Sequence, residues 1–237
     1  MPKSVHDGHR QRTREEFLRN GFDIDTPPHK MVEMLLFYST PRKDTNDMAH
    51  ELFNRFGTLS ALLSATPEQI TSVKGIGNNT VCLLEFIKMF NKIAYFEQKK
   101  KVLKVDKTFD DFYEFLSVQY FALNREEFSM ATFKGNGKLI NWQVLQVGTL
   151  TEVNVSLRNI IEIALKEQAS SVIIAHNHPG GDALPSPEDV LMTKNISKGL
   201  GNIGVGLLDH VIFCDDDYIS MRQSRAYREY FAKDAND

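Results

Sequence analysis

His176 and His178, one residue apart, and Asp189 a short loop later are the residues of this chain best suited to hold a metal ion. They bracket the stretch His176-Asn-His-Pro-Gly-Gly-Asp-Ala-Leu-Pro-Ser-Pro-Glu-Asp189, which follows Ser171-Val-Ile-Ile-Ala175, a β-branched apolar run of the kind a buried strand uses. In extended chain, residues two apart point to the same side, so the two imidazoles can converge while Asn177 points elsewhere. A Gly-Gly turn and a Pro-Ser-Pro segment can swing Asp189 back toward the strand end. Two neutral imidazoles, one carboxylate and an open position for water form the ligand set of a hydrolytic zinc, since a closed structural site would fill the fourth position with protein. Such a centre also needs a base that is not a ligand. Glu126 and Glu127 open an apolar run ending at Phe133, and the period of two directs only one of them at the metal.

The elements around this stretch supply a sheet and its covering helices. Glu126–Phe133 reads as a strand, Gly135-Asn-Gly137 as a tight hairpin turn, and Leu139–Val147 as the partner strand. Val155–Lys166 follows as a helix with Leu157, Ile160, Ile161, Ala164 and Leu165 on its buried face. Ser186-Pro-Glu-Asp189 has the form of a helix start, serine as cap and proline at the first helical position, and predicts a helix from Pro187 to about Leu200. A strand near Val205–Phe213, an edge strand at Tyr218–Met221 and a charged helix over Arg222–Phe231 complete the order. Helices covering a mixed sheet is the architecture this alternation predicts. Asp106–Tyr120, ahead of the sheet, carries Phe109, Phe112, Tyr113 and Leu116 on one helical stripe, an expected core face. Asp209-His210 reads as a structural pair or as part of the cleft edge.

The first part of the chain reads as all-α. Met1–Arg14 is a polar, basic arm expected to be solvated, and apolar residues at helical spacing follow from Glu15 to Phe96. Thr66-Pro67 opens a short helix, Val73-Lys-Gly-Ile-Gly77 follows, and another helix runs from about Asn78 to Phe90, which is the pattern of a helix-hairpin-helix. Lys74, Gly75 and Gly77 are its candidate nucleic-acid contacts, because glycines permit a tight turn with bare amides and lysine adds charge for a phosphate. A helix-helix corner that binds nothing fits the same residues. Glu97–Lys104 turns abruptly charged and reads as a solvated boundary between domains at 1–98 and 99–237.

Composition narrows the classes. The 237 residues are 42% hydrophobic and 25% charged, ordinary for a soluble globular chain, with a formal net charge of −3 that offers no global basic field to nucleic acid or anionic membrane. Cys82 and Cys214 read as buried thiols in a reducing compartment. No apolar run approaches the ~20 residues that span a bilayer, and the amino terminus lacks a signal-peptide core, so the expected location is cytoplasmic.

The pattern His-x-His-Pro, six residues, Ser, two residues, Asp resembles that of the JAMM (MPN+) metalloprotease family. Gly148-Thr149-Leu150, Leu208-Asp209-His210-Val211-Ile212 and the helical hairpin region look like its bacterial RadC-like branch. The resemblance implies a deaminase-like α/β sandwich with a mixed sheet, Zn2+ on His176, His178 and Asp189, Glu126 as the base and Ser186 as a hydroxyl supporting the oxyanion. It implies hydrolysis of an amide or isopeptide bond in a protein or peptide substrate by metal-activated water. The rival reading is a DNA-binding repair or recombination protein acting through its hairpin. A nucleobase deaminase would need a Cys-x-x-Cys pair, which the chain lacks. Ser156-Leu-Arg-Asn159 stands where RadC-like chains often have His-Pro-Arg-Glu, a departure that touches no implied ligand.

Overall fold

Alternation along the strands, apolar to one side and apolar to the other, requires that both faces of the sheet be covered. The computed structural model describes residues 5–41, 44–105, 108–148, 156–214 and 217–232; Asp106, Thr149, Leu150 and Val155, used above, lie outside them, as does the side chain of His6. The chain divides into two units, Met1–Asn91 and Lys92–Asp237.

In the first unit, α1 (Val5–Asn20), α2 (Pro28–Ser39), α3 (Asn46–Phe56), α4 (Leu59–Ser64) and α5 (Pro67–Thr71) lead to α6 (Asn78–Lys99), which crosses the division. Val32, Leu36, Leu52, Leu62, Ile70 and Leu84 form its core. The basic arm is not free chain. From Val5 it is helical, and Arg10 donates to the carbonyls of Pro41 (2.7 Å) and Thr40 (3.1 Å), while His9 meets Glu33 at 3.1 Å. Those carbonyls follow the end of α2, where a cation is favoured. Thr66 caps α5 in a reciprocal box with Gln69. At the hairpin, Val73 and Ile76 are buried, and Lys74, Gly75 and Gly77 are exposed. Gly75 takes φ +89°, and a Cβ there would lie 2.8 Å from Met48 Sδ, so both conformation and space call for glycine. Cys82 is exposed rather than buried, and neither cysteine is in a disulfide.

The second unit contains α7 (Asp110–Tyr120), β1 (Glu127–Phe133), β2 (Leu139–Val147), α8 (Leu157–Lys166), β3 (Ser171–Asn177), α9 (Pro187–Gly201), β4 (Gly206–Cys214) and β5 (Asp217–Ser220). The strands form one mixed sheet in the order β2-β1-β3-β4-β5, with only β3 and β4 parallel. Odd-numbered Ala131, Phe133, Ile173, Ala175, Val211 and Phe213 pack with α7. Even-numbered Phe128, Met130, Val172, Ile174 and Ile212 pack with Ile160 of α8 and Ile196 of α9. The result is the expected helical region followed by an α/β sandwich on a mixed sheet.

Several boundaries differ from the expectation. α6 runs on to Lys99, and the charged stretch beyond it is no solvated linker: Leu103 and Val105 are buried, and both bond to the β1–β2 hairpin, through Leu139 N–H to Leu103 O and Val105 N–H to Gly137 O. Buried Leu103 and Val105 on either side of exposed Lys104 is the pattern of an edge segment. β1 begins at Glu127, leaving Glu126 just outside the ladder. Arg222–Phe231 forms turns and one 3-10 turn at Arg228–Tyr230 instead of a helix. Tertiary bonds override its helical pattern, with Arg222 donating to the carbonyls of Leu208 and Ala232 and the Ala232 amide to Leu207 O.

Candidate metal centre

The parity that sorts the core also sorts the site. His176, even-numbered and at the end of β3, projects to the α9 side, and His178 projects the same way just past the strand. Past His178 the chain turns at Gly180 (φ +66°), and Gly181 N–H returns to His178 O at 3.1 Å. At the start of α9, Ser186 is the N-cap in a box with Asp189: the serine hydroxyl accepts from the Asp189 amide (3.1 Å), and its amide and hydroxyl donate to Asp189 Oδ2 at 2.8 and 2.6 Å. A carboxylate three residues into the helix is thereby held at the strand end, with Oδ1 left to face His176.

His176 Nε2 lies 2.9 Å from His178 Nε2 and 3.2 Å from Asp189 Oδ1, and His178 Nε2 lies 3.5 Å from Asp189 Oδ2. Ligand atoms of a tetrahedral ion with bonds of ~2.0–2.1 Å lie about 3.3 Å apart, and here one ligand atom from each of the three residues lies within 4.8 Å of the other two. The donor set fits such an ion for a second reason. His178 Nδ1 is 2.9 Å from Asp182 O, a carbonyl that can only accept, so Nδ1 carries the proton and neutral His178 presents a bare Nε2. Among the described residues these three are the group of acidic, imidazole or thiol side chains close enough to share a metal. Side-chain exposure is 0% for His176, 3% for Asp189 and 22% for His178, so solvent reaches the centre past His178.

The electrostatics agree. The hydrogen bond to Asp189 raises the His178 pKa against the effect of burial, with further help from the Asp182 carbonyl and the charges of Asp189 and Glu126. For Asp189, burial pushes upward, but the histidines His176 and His178, in their protonated forms, and the Ser186 hydroxyl hold the carboxyl well below the usual range.

The two glutamates act on different neighbours. Glu126 exerts its charge on His178. Glu127 pairs with Arg125 at 3.2 Å and acts instead on Tyr120. Asn177, between the two histidines, points to the odd side and fastens this segment: its amide donates to Arg125 O (3.0 Å) and its Oδ1 accepts from the Glu127 amide (2.8 Å), bracketing Glu126. Asn177 thus has a structural part that its direction away from the imidazoles did not suggest. The strand that carries the imidazoles therefore also anchors the chain on either side of Glu126.

His210, which the sequence places in a structural pair or at the cleft edge, touches the centre. On parallel β4 it sits opposite Ile174, and its Nε2 lies 2.8 Å from His176 Nδ1. Its Nδ1 lies 2.6 Å from Thr193 Oγ1 on α9, and burial, then the His176 charge, drives its pKa well down. Asp209, one residue earlier, faces α7 and accepts from Tyr113 and Ser220 hydroxyls at 2.6 Å each and from the Arg222 amide at 2.9 Å. The available signal was parity, since His210 and His176 are even-numbered residues on neighbouring parallel strands. Lys74, Gly75 and Gly77 lie in the first unit and take no part in this cluster.

Comparison with known proteins gives the same assignment. The profile of the RadC-like JAB domain matches residues 106–226. A UPF0758 protein of Fusobacterium nucleatum is 31% identical over 226 residues, covering 93% of this chain and 97% of its own. A UPF0758 protein of Carboxydothermus hydrogenoformans is 32% identical over 220 residues (91% and 95%), and one of a Geobacillus species 30% identical over 213 (90% and 93%). Joined to a sandwich that gathers His176, His178 and Asp189 at one strand end, these matches show that the chain belongs to the RadC-like branch of the JAMM family.

Proposed function

We propose that the protein is a zinc-dependent hydrolase of the JAMM type that cleaves an amide or isopeptide bond in a protein or peptide. The observation that carries this reading is the convergence of two imidazole nitrogens and a carboxylate oxygen at one strand end, with the charge of a glutamate that is not among them acting on His178. Zinc held by His176, His178 and Asp189 supplies a Lewis acid and lowers the pKa of water. Glu126 takes the proton of the attacking water and returns it to the leaving amine, a role suited to a carboxylate close enough to act on His178. Asn177 keeps that carboxylate in register. Ser186 bonds Asp189 Oδ2 and turns its hydroxyl toward the oxyanion when substrate arrives, a donor aimed at developing charge. The partly exposed His178 marks the side from which substrate enters.

The test is hydrolysis of a panel of isopeptide-linked and linear peptide substrates by the zinc-loaded chain. Cleavage by wild type, reduced about 10²–10⁴-fold in Glu126→Gln with zinc retained, is the expected result. Cleavage that persists in Glu126→Gln would remove that glutamate from the chemistry.

A second reading attaches to the first unit, where Lys74, Gly75 and Gly77 are exposed at the hairpin that opens α6. Bare amides and a lysine there suit a DNA backbone phosphate. Salt-dependent DNA binding that Lys74→Ala weakens would support it, and binding insensitive to that change would count against it.

A further inference from the structure

Asp189 enters this centre twice, by its carboxylate and by its backbone carbonyl. The carbonyl oxygen lies 2.6 Å from Thr193 Oγ1, which lies 2.6 Å from His210 Nδ1, and His210 Nε2 lies 2.8 Å from His176 Nδ1. Each of these contacts is close enough to require a hydrogen. A carbonyl has none to give, so the single hydroxyl proton of Thr193 lies toward Asp189 O. Thr193 must then accept, so His210 carries its proton on Nδ1. His210 Nε2 is left bare and accepts in turn, so His176 carries a proton on Nδ1, and neutral His176, the form a metal binds, presents a bare Nε2.

We propose that Thr193 and His210 are positioning residues that fix His176 in the tautomer able to ligate a metal through Nε2. The proposal rests on the metal-site reading above. The surroundings favour one fixed arrangement. His176, His210 and Thr193 are fully buried, the Phe128 ring packs against both imidazoles, and the other neighbour of the Thr193 hydroxyl is the thioether of Met221, 3.6 Å away and a weak acceptor. Helix α9 thus supplies one ligand directly and disposes another through two side chains. Partners of this kind hold a ligating histidine in orientation and tautomer, and their loss typically weakens metal binding about 10–100-fold.

The experiment measures zinc affinity by competition with a chromophoric chelator, and imidazole nitrogen shifts by nitrogen-15 NMR on zinc-free and zinc-loaded protein. Thr193→Val preserves volume and removes the acceptor, whereas Thr193→Ser restores it. The proposal expects His210 protonated on Nδ1 and His176 on Nδ1 already in the zinc-free chain, affinity about 10–100-fold lower in Thr193→Val, and recovery in Thr193→Ser. Equal affinity in wild type and a folded Thr193→Val, or His210 protonated on Nε2, would overturn it while leaving the metal site standing. Failure of wild type to bind zinc would overturn the hydrolase reading instead, and the zinc-free spectrum would still decide the relay. Should Thr193→Val not fold, the wild-type spectra decide it alone.

Discussion

Two buried polar clusters of the second unit meet at β4, one on each side of the sheet, and they differ in how their acceptors are met. On the α7 side, the Asp209 carboxylate accepts from Tyr113, Ser220 and the amides of His210 and Arg222. Its donors belong to the protein and are fixed in place. On the α9 side, His176, His178 and Asp189 bring acceptor atoms against one another at one point. Buried polar atoms are normally paired, so the first cluster is scaffold, whereas the second could hold a cation. Adjacent residues on β4 illustrate the division, with Asp209 tying α7 to the sheet and His210 reaching the centre.

The comparison is sharpest if the scaffold side is broken. Asp209→Ala leaves the Tyr113 hydroxyl and the Arg222 amide without their buried acceptor, and a loss of about 3 kcal/mol or more in urea unfolding is expected. Asp209→Asn costs less, because the Tyr113 and Ser220 hydroxyls can turn to accept. Metal affinity of either variant, where folded, stays within a few-fold of wild type; a collapse of affinity would erase the distinction between the clusters.

Asn177 lies between the two sides. Asn177→Ala removes its bonds to Arg125 O and the Glu127 amide, with an expected loss of about 1–3 kcal/mol in stability. It should lower kcat of any hydrolysis about tenfold or more by loosening Glu126, with metal affinity unchanged. Ser186→Ala removes the cap of α9 and one donor to Asp189, for about 1 kcal/mol in thermal unfolding and a small drop in metal affinity.

The smallest expected effect is on pH dependence. In the metal-free chain His178 has a pKa raised above 6.5 by Asp189, so its contribution is fully present below that value and is lost as pH rises through the raised one. Zinc needs the unprotonated imidazole, so binding runs the opposite way. The rise in Tm on adding zinc should therefore be larger at about pH 8 than at about pH 6. A zinc-induced rise independent of pH would remove His178 from the ligand set.

The sequence displayed the local parts of this site and concealed the long-range ones. A β-branched strand, a histidine pair at a spacing of two and a capped helix start are all carried by neighbouring residues, so His176, His178, Ser186 and Asp189 could be read together. Leu139–Val147 was legible as a strand from its turn and apolar pattern. Thr193 and His210 were not legible, because they meet only when β4 pairs with β3 and α9 covers that face. The Arg222–Phe231 segment and the amino-terminal arm were misjudged for a related reason. Charge suggested a helix in one and free chain in the other, and hydrogen bonds to distant carbonyls decided both.

The central claim, that this side of the sheet is a metal centre, is tested most directly by the zinc content of purified protein measured by mass spectrometry alongside folded His176→Ala and Asp189→Ala variants. About one zinc per chain, lost in both variants, is the predicted result. A wild-type chain that holds no zinc even after reconstitution, or variants that keep it, would contradict the account.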